Sequence, residues 1–168
     1  CIVFRFFKEQ EKCYLELTPS YEITKNWLLN SDIFVSNPSN SNYGGVRSFY
    51  DEKKKEYAFL YPEITGYFIS SMRFLYEHEK NEKFVDLAKS SSLWLIDLYK
   101  KYGGIIQGIF PDGSSKNSVY SFDTGICVKG LLDCYAITKE EKFLEYSKKL
   151  NQWIIDEKKK EEAEKERA

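Results

Sequence analysis

The property that most constrains this chain is that it repeats itself. Tyr43-Gly44-Gly45-Val46 returns as Tyr102-Gly103-Gly104-Ile105, an offset of 59 positions. The same offset pairs Tyr61 with Tyr120, Thr65-Gly66 with Thr124-Gly125, Tyr76 with Tyr135, and Glu82-Lys83-Phe84 with Glu141-Lys142-Phe143. It continues without a gap to Trp94 and Trp153, then to Ile96-Asp97 and Ile155-Asp156. A period of this length marks a supersecondary unit that cannot bury its apolar face alone and stacks on copies of itself.

Each copy decodes as two helices and a glycine-containing loop. Pro62 suits a first helical turn, where its missing N–H would have no partner, and predicts a helix to about Glu79. Apolar residues fall nearly all round it: Tyr67, Phe68, Ile69, Met72, Phe74, Leu75 and Tyr76. Its copy carries Ile126, Cys127, Val128, Leu131, Leu132, Cys134 and Tyr135. A helix apolar on most faces is buried on most faces. The following helix, about Glu82 to Lys101, places Phe84, Leu87, Ala88, Trp94, Leu95 and Leu98 on one stripe, with Lys83, Asp86, Lys89 and Asp97 off it. The alternation predicts an inner and an outer layer, hence an all-α fold of helical-hairpin repeats, part of a toroid or curved solenoid, joined by short irregular or β-like loops.

Upstream, Tyr21 to Asn30 has the character of an outer helix, with Trp27-Leu28-Leu29 echoing Trp94-Leu95-Ile96. A polar insert, Ser36-Asn37-Pro38-Ser39-Asn40-Ser41-Asn42, follows as a surface loop. Three segments result: residues 1–16, read as a truncated earlier repeat; 17–156, the repeat domain; and 157–168, a charged helical tail. That tail is almost wholly Lys, Glu, Arg and Ala, and predicts a solvated helix end.

Composition narrows the function classes. Charge is balanced, 25 Lys plus Arg against 26 Asp plus Glu, which argues against a nucleic-acid partner. No apolar run has the length of a membrane span, and the opening Cys1 to Lys8 is too short an apolar run for a signal peptide. The four cysteines, Cys1, Cys13, Cys127 and Cys134, show no paired spacing and read as buried free thiols, from which a cytoplasmic location is expected. With one His and no Cys cluster, neither a metal nor another cofactor is expected. Aromatic residues are 17% of the chain, available for the core or for flat stacking surfaces.

Chemistry is expected where the loops enter the inner helices, because both loops run to one edge. Two carboxylates stand there, Glu63 and Asp123. They are not equivalent in the repeat, since Glu63 aligns with Phe122. Three roles are open to them: helix-start residues that complement the dipole, contacts to sugar hydroxyls, or a general acid and base. Tyr61, Tyr67, Tyr120 and Phe122 border the same edge and serve either the core or a stacking wall. Gly66 and Gly125, beside Thr65 and Thr124, read as sites of close helix approach. Asp51, Glu52 and Asp112 read as turn or surface residues and His78 as a solvated helix end. No nucleophile elbow, phosphate loop or Asp-rich diphosphate motif occurs.

The succession Tyr61-Pro62-Glu63-Ile64-Thr65-Gly66-Tyr67, Trp94-Leu95, the Gly-Gly loop and Phe122-Asp123-Thr124-Gly125 resembles the six-hairpin glycosidase-like superfamily. Within it, the chain is similar to toroid proteins encoded among bacterial polysaccharide and O-antigen biosynthesis genes. The resemblance runs over residues 17–156. It implies an (α/α)6 toroid whose mouth receives a saccharide or glycan, in relatives that include glycoside hydrolases, sugar epimerases and lyases. Glu63 and Asp123 become the catalytic candidates, and Tyr61, Thr65, Tyr67, Tyr120, Phe122 and Thr124 the substrate-binding ones. About two and a half of six hairpins are present, so a homo-oligomer or further repeats are expected to complete the ring. A helical-repeat interaction module without catalysis is the alternative reading.

Overall fold

The structure, a computed structural model, describes residues 19–165, with side chains as far as 159. Cys1, Cys13, the N-terminal segment 1–16 and the last three residues of the tail lie outside it. The chain divides into two compact units, Cys1–Phe34 and Val35–Ala168. In the first, residues 19–30 form helix α1, at the place where a helix over Tyr21 to Asn30 is expected.

The second unit runs β1 (Tyr50–Asp51), β2 (Glu56–Tyr57), α2 (Pro62–Glu79), α3 (Glu82–Tyr102), β3 (Ile106–Ile109), β4 (Ser115–Val119), α4 (Ser121–Thr138) and α5 (Glu141–Lys165). The repeat extends to individual hydrogen bonds. At the start of α2 the Thr65 hydroxyl and amide both donate to the Tyr61 carbonyl, each at 3.0 Å. Thr124 does the same to Tyr120 in α4, at 2.8 and 3.0 Å. The helices also end alike. Lys80 and Lys139 take left-handed φ values of 56° and 58°, and their amides close onto Tyr76 and Tyr135 at 2.8 Å. Asn81 caps α3 by accepting from the Lys83 amide, and Gly103, at φ 72°, ends it. A left-handed terminal residue is a common way to satisfy the last carbonyls of a helix.

Two layers follow. Helices α2 and α4 lie side by side, and α3 and α5 fold back as their hairpin partners. Phe68, Ile69 and Met72 of α2 share the core with Phe84, Ala88 and Leu95 of α3, Cys127, Leu131 and Cys134 of α4, and Phe143 and Leu150 of α5. Each large apolar side chain so buried contributes roughly 1.5–3 kcal/mol of transfer free energy. Cys127 and Cys134 are buried free thiols, as their spacing indicates. Contacts along α2 and α4 advance in the same sense, from Tyr61–Asp123 to Ser70–Asp133, so the two helices are parallel.

Their close approach depends on glycine, but not on the repeated pair. A Cβ at Gly66 would lie 2.8 Å from the Ile126 carbonyl oxygen, and one at Gly130 would lie 2.9 Å from the Gly66 oxygen. A Cβ at Gly125 would meet nothing within 4 Å. The expectation that Gly125 repeats the role of Gly66 is therefore corrected. Stacked repeats meet through unlike faces, so the glycine opposite Gly66 is one that the offset of 59 does not pair with it.

The loops are more ordered than expected. Strands β1 and β2 pair antiparallel, Tyr50 with Tyr57 and Asp51 with Glu56. Strands β3 and β4 pair with a bulge between Ile106 and Gly108. Leu60 bridges the two hairpins, exchanging backbone hydrogen bonds with Ile109 at 2.9 and 3.1 Å. Asp51 accepts from the Lys53 and Lys54 amides, and Asp112 from the Ser114 amide, so both are turn residues. Among the described residues no helix is long and apolar enough to cross a membrane.

Candidate functional site

The parallel packing of α2 and α4 brings their first turns together, and with them the inequivalent carboxylates. Tyr61, at the N-cap of α2, points its hydroxyl at Asp123 in the first turn of α4, with an O···O distance of 3.4 Å. Glu63 sits in the first turn of α2 and acts on both groups. Burial, then Glu63, then Asp123 hold the Tyr61 phenol protonated well above its ordinary range. Asp123 is 6% exposed. Burial first, and the charge on Glu63 second, raise its pKa, against a smaller opposing effect of the Tyr61 hydrogen bond. Burial and neighbouring negative charge thus act in the same direction on Tyr61 and Asp123, each holding its proton more tightly.

Other predicted residues support this group rather than join it. Thr65 receives the Val46 amide at 3.0 Å while donating to Tyr61, which ties the incoming loop to the helix start. Thr124 is fully buried and orients the Tyr120 carbonyl. Beneath them the Cys127 thiol donates to the Pro62 carbonyl at 3.3 Å. Burial, reinforced by Asp123 and Glu63, pushes that thiol's pKa well up, so Cys127 is a floor and not a nucleophile. Tyr67, Tyr120 and Phe122 are exposed rather than packed in the core, Phe122 to 65%.

Two groups nearby have no counterpart in the sequence reading. The first is a chain of aromatic rings on the loop hairpins. Phe59 lies 5.5 Å from Tyr61, 5.5 Å from Phe110 and 6.2 Å from Phe49, centroid to centroid. In the sequence Phe59 lies within the short apolar run Tyr57-Ala58-Phe59-Leu60-Tyr61. The second is an ion cluster deeper along α2 and α4. Asp133 accepts from Ser70 at 2.5 Å and pairs with Lys129 at 2.6 Å and Arg73 at 2.8 Å. Burial alone would raise the pKa of Asp133, but hydrogen bonds from Lys129, Ser70 and Arg73 hold it below the ordinary value. Asp133 aligns with Phe74 under the repeat, so the offset gives no hint of it.

Among the described residues there is no group of three or more His, Cys, Asp or Glu able to hold a metal ion. An open groove of about 600 Å³, lined by Tyr43, Asp86, Lys89, Leu93, Trp94 and Asp97, contains none of the predicted site residues. His78 is exposed at the end of α2 and stacks on Phe74.

The described residues thus define an all-α protein of helical-hairpin repeats whose loops carry short β-hairpins and whose paired helix starts hold the acids. No family model and no curated protein matches the chain. Among solved structures it is similar to a GH76 alpha-mannanase from Bacteroides thetaiotaomicron, at 25% sequence identity and a TM-score of 0.46. The likeness covers 53% of this chain and 25% of that one, so the chain spans about a quarter of the length of that structure.

Proposed function

We propose that the paired starts of α2 and α4 bind a saccharide, with Asp123 and Glu63 taking its hydroxyls and Tyr61 orienting Asp123 by a hydrogen bond. The observation that carries this reading is the meeting of Tyr61 and Asp123, from different repeats, at one partly buried point that Glu63 also influences. Carboxylates accept several hydrogen bonds in plane, and neighbouring aromatic faces cover the C–H surface of a sugar ring. Tyr120, Phe122 and Tyr67 supply exposed rings close by in sequence to the acids. The resemblance of the two helix-start motifs to six-hairpin glycosidase-like proteins points the same way, toward bacterial polysaccharide metabolism.

In a catalytic version, Asp123 is the proton donor, because a raised pKa keeps it protonated to higher pH, and Glu63 is the accompanying carboxylate. A glycoside hydrolase, epimerase or lyase-like reaction would use that division. Calorimetric titration with neutral and uronic-acid-containing saccharides tests the binding reading. Asp123→Asn and Glu63→Gln are each expected to weaken binding by roughly tenfold or more, the value of a hydrogen bond to a charged group. Binding that neither substitution alters would reject the site.

A second reading, a non-catalytic interaction module, is favoured by Phe74, 60% exposed, with exposed Tyr67 on the same helix and Leu132 on α4. Glycan binding that survives both carboxylate substitutions but is lost on removing these side chains would select it.

A further inference from the structure

We infer that the open face of α4 receives α2 of a second copy of this chain, in a head-to-tail contact that continues the one already made between α2 and α4. In the internal contact the trailing face of α2 carries Gly66, Ile69 and Arg73, and the leading face of α4 carries Ile126, Gly130 and Asp133. A Cβ at Gly66 would lie 2.8 Å from the Ile126 carbonyl oxygen, and one at Gly130 would lie 3.3 Å from Cδ1 of Ile69. Arg73 pairs with Asp133 at 2.8 Å.

The offset of 59 carries each of these faces onto the other helix. Gly66, Ile69 and Arg73 become Gly125, Val128 and Leu132 on α4, while Ile126, Gly130 and Asp133 become Tyr67, Ser71 and Phe74 on α2. Positions that the internal contact covers lie open here. A Cβ at Gly125 would meet nothing within 4 Å, and Val128 is half-buried where Ile69 is fully buried. Leu132, Tyr67 and Phe74 are exposed. The outer layer shows the same step, since Ile96 of α3 is 2% exposed and its counterpart Ile155 of α5 is 40% exposed.

The residues on the two open faces select the partner. At one level of the internal contact both partners are charged, Arg73 and Asp133. At the same level the open faces offer Leu132 and Phe74, so the two sides change from ionic to apolar together. A charge set against an apolar side chain would be left uncompensated, so each open face suits the other better than it suits either half of the internal contact. Tyr67, aligned with Ile126, is then placed over Gly125, where the missing side chain admits a neighbouring helix as Gly66 does. Both halves belong to this one chain, which makes the occupant a second copy. Trailing face meets leading face, so the contact is heterologous and every added copy leaves one face open at either end. The inference rests on reading Phe74, Tyr67 and Leu132 as an interaction surface and names what that surface takes. Glu63 and Asp123 remain within one chain, and the saccharide reading does not depend on it.

The test is sedimentation velocity and equilibrium of the full chain over a wide range of protein concentration, with circular dichroism to check that each variant is folded. Wild type is expected to show a mass that rises with concentration beyond that of a dimer. Gly125→Ala, which meets open space in the single chain, should weaken association by roughly tenfold or more, because in the contact its Cβ meets backbone. Leu132→Arg and Phe74→Asp should each weaken association by roughly the same factor, by setting a charge against an apolar side chain. The double variant rebuilds the Arg73–Asp133 pairing across the junction and should recover association. A wild type that is monomeric throughout, association that any of the three single variants leaves unchanged, or a double variant as weak as the single ones would overturn the contact. A monomeric wild type would still leave the interaction-module reading to be judged by the glycan titration above.

Discussion

Asp123 and Asp133 lie on the same helix, both nearly buried, with pKa values displaced in opposite directions. Asp133 is 7% exposed and is stabilised as an anion by Ser70, Lys129 and Arg73, with its pKa below the ordinary value. A depressed folded-state pKa contributes stability above the unfolded value, and that stability is lost as pH falls through the folded one. Asp123 has the reverse sign. Its raised pKa means that the folded state binds the proton more tightly, so stability declines as pH rises from the ordinary carboxylate value through the folded one. At neutral pH, Asp133→Asn should therefore destabilise the chain by about 2 kcal/mol, whereas Asp123→Asn should stabilise it. Urea unfolding between pH 4 and 8 checks both signs, and equal losses for the two variants would contradict the distinction drawn between a structural and a functional acid.

At the scale of elements, the two glycine positions separate packing from repetition. Gly66→Ala would force its Cβ against the backbone of α4 and is expected to cost about 1–3 kcal/mol through overpacking. Gly125→Ala enters open space within a helix and should stabilise by about 0.5–1 kcal/mol through helix propensity alone. Thermal or urea denaturation of the two variants gives the comparison, and similar effects would mean that the α2–α4 contact is wrongly placed. The helices themselves were legible in the sequence because their signals are local: Pro62 at a start, Gly103 at an end, a one-sided stripe on α3. The Leu60 bridge between the hairpins and the rings on Phe49 and Phe110 were not legible. They depend on backbone pairing between segments far apart in the chain, for which the short strands carry almost no alternation.

At the scale of the whole molecule, the site is a product of stacking. The offset of 59 aligns Glu63 with Phe122 and Asp123 with Ile64, so a search for repeated residues finds no repeated catalytic group. Stacking joins the trailing face of one repeat to the leading face of the next, and this is how Tyr61 of one copy comes to face Asp123 of the other. The sequence could place both acids at helix starts on one edge. It could not show that they influence each other, because that depends on the sideways registration of α2 against α4, set by Gly66, Ile126 and Gly130. The catalytic version of the saccharide reading depends on that influence. The most direct measurement is a carboxyl ¹³C NMR titration of Asp123 in the wild-type chain and in Glu63→Gln. The account predicts an Asp123 midpoint above the ordinary carboxylate value that falls when the Glu63 charge is removed. An unchanged midpoint would show two separate acids and no shared site.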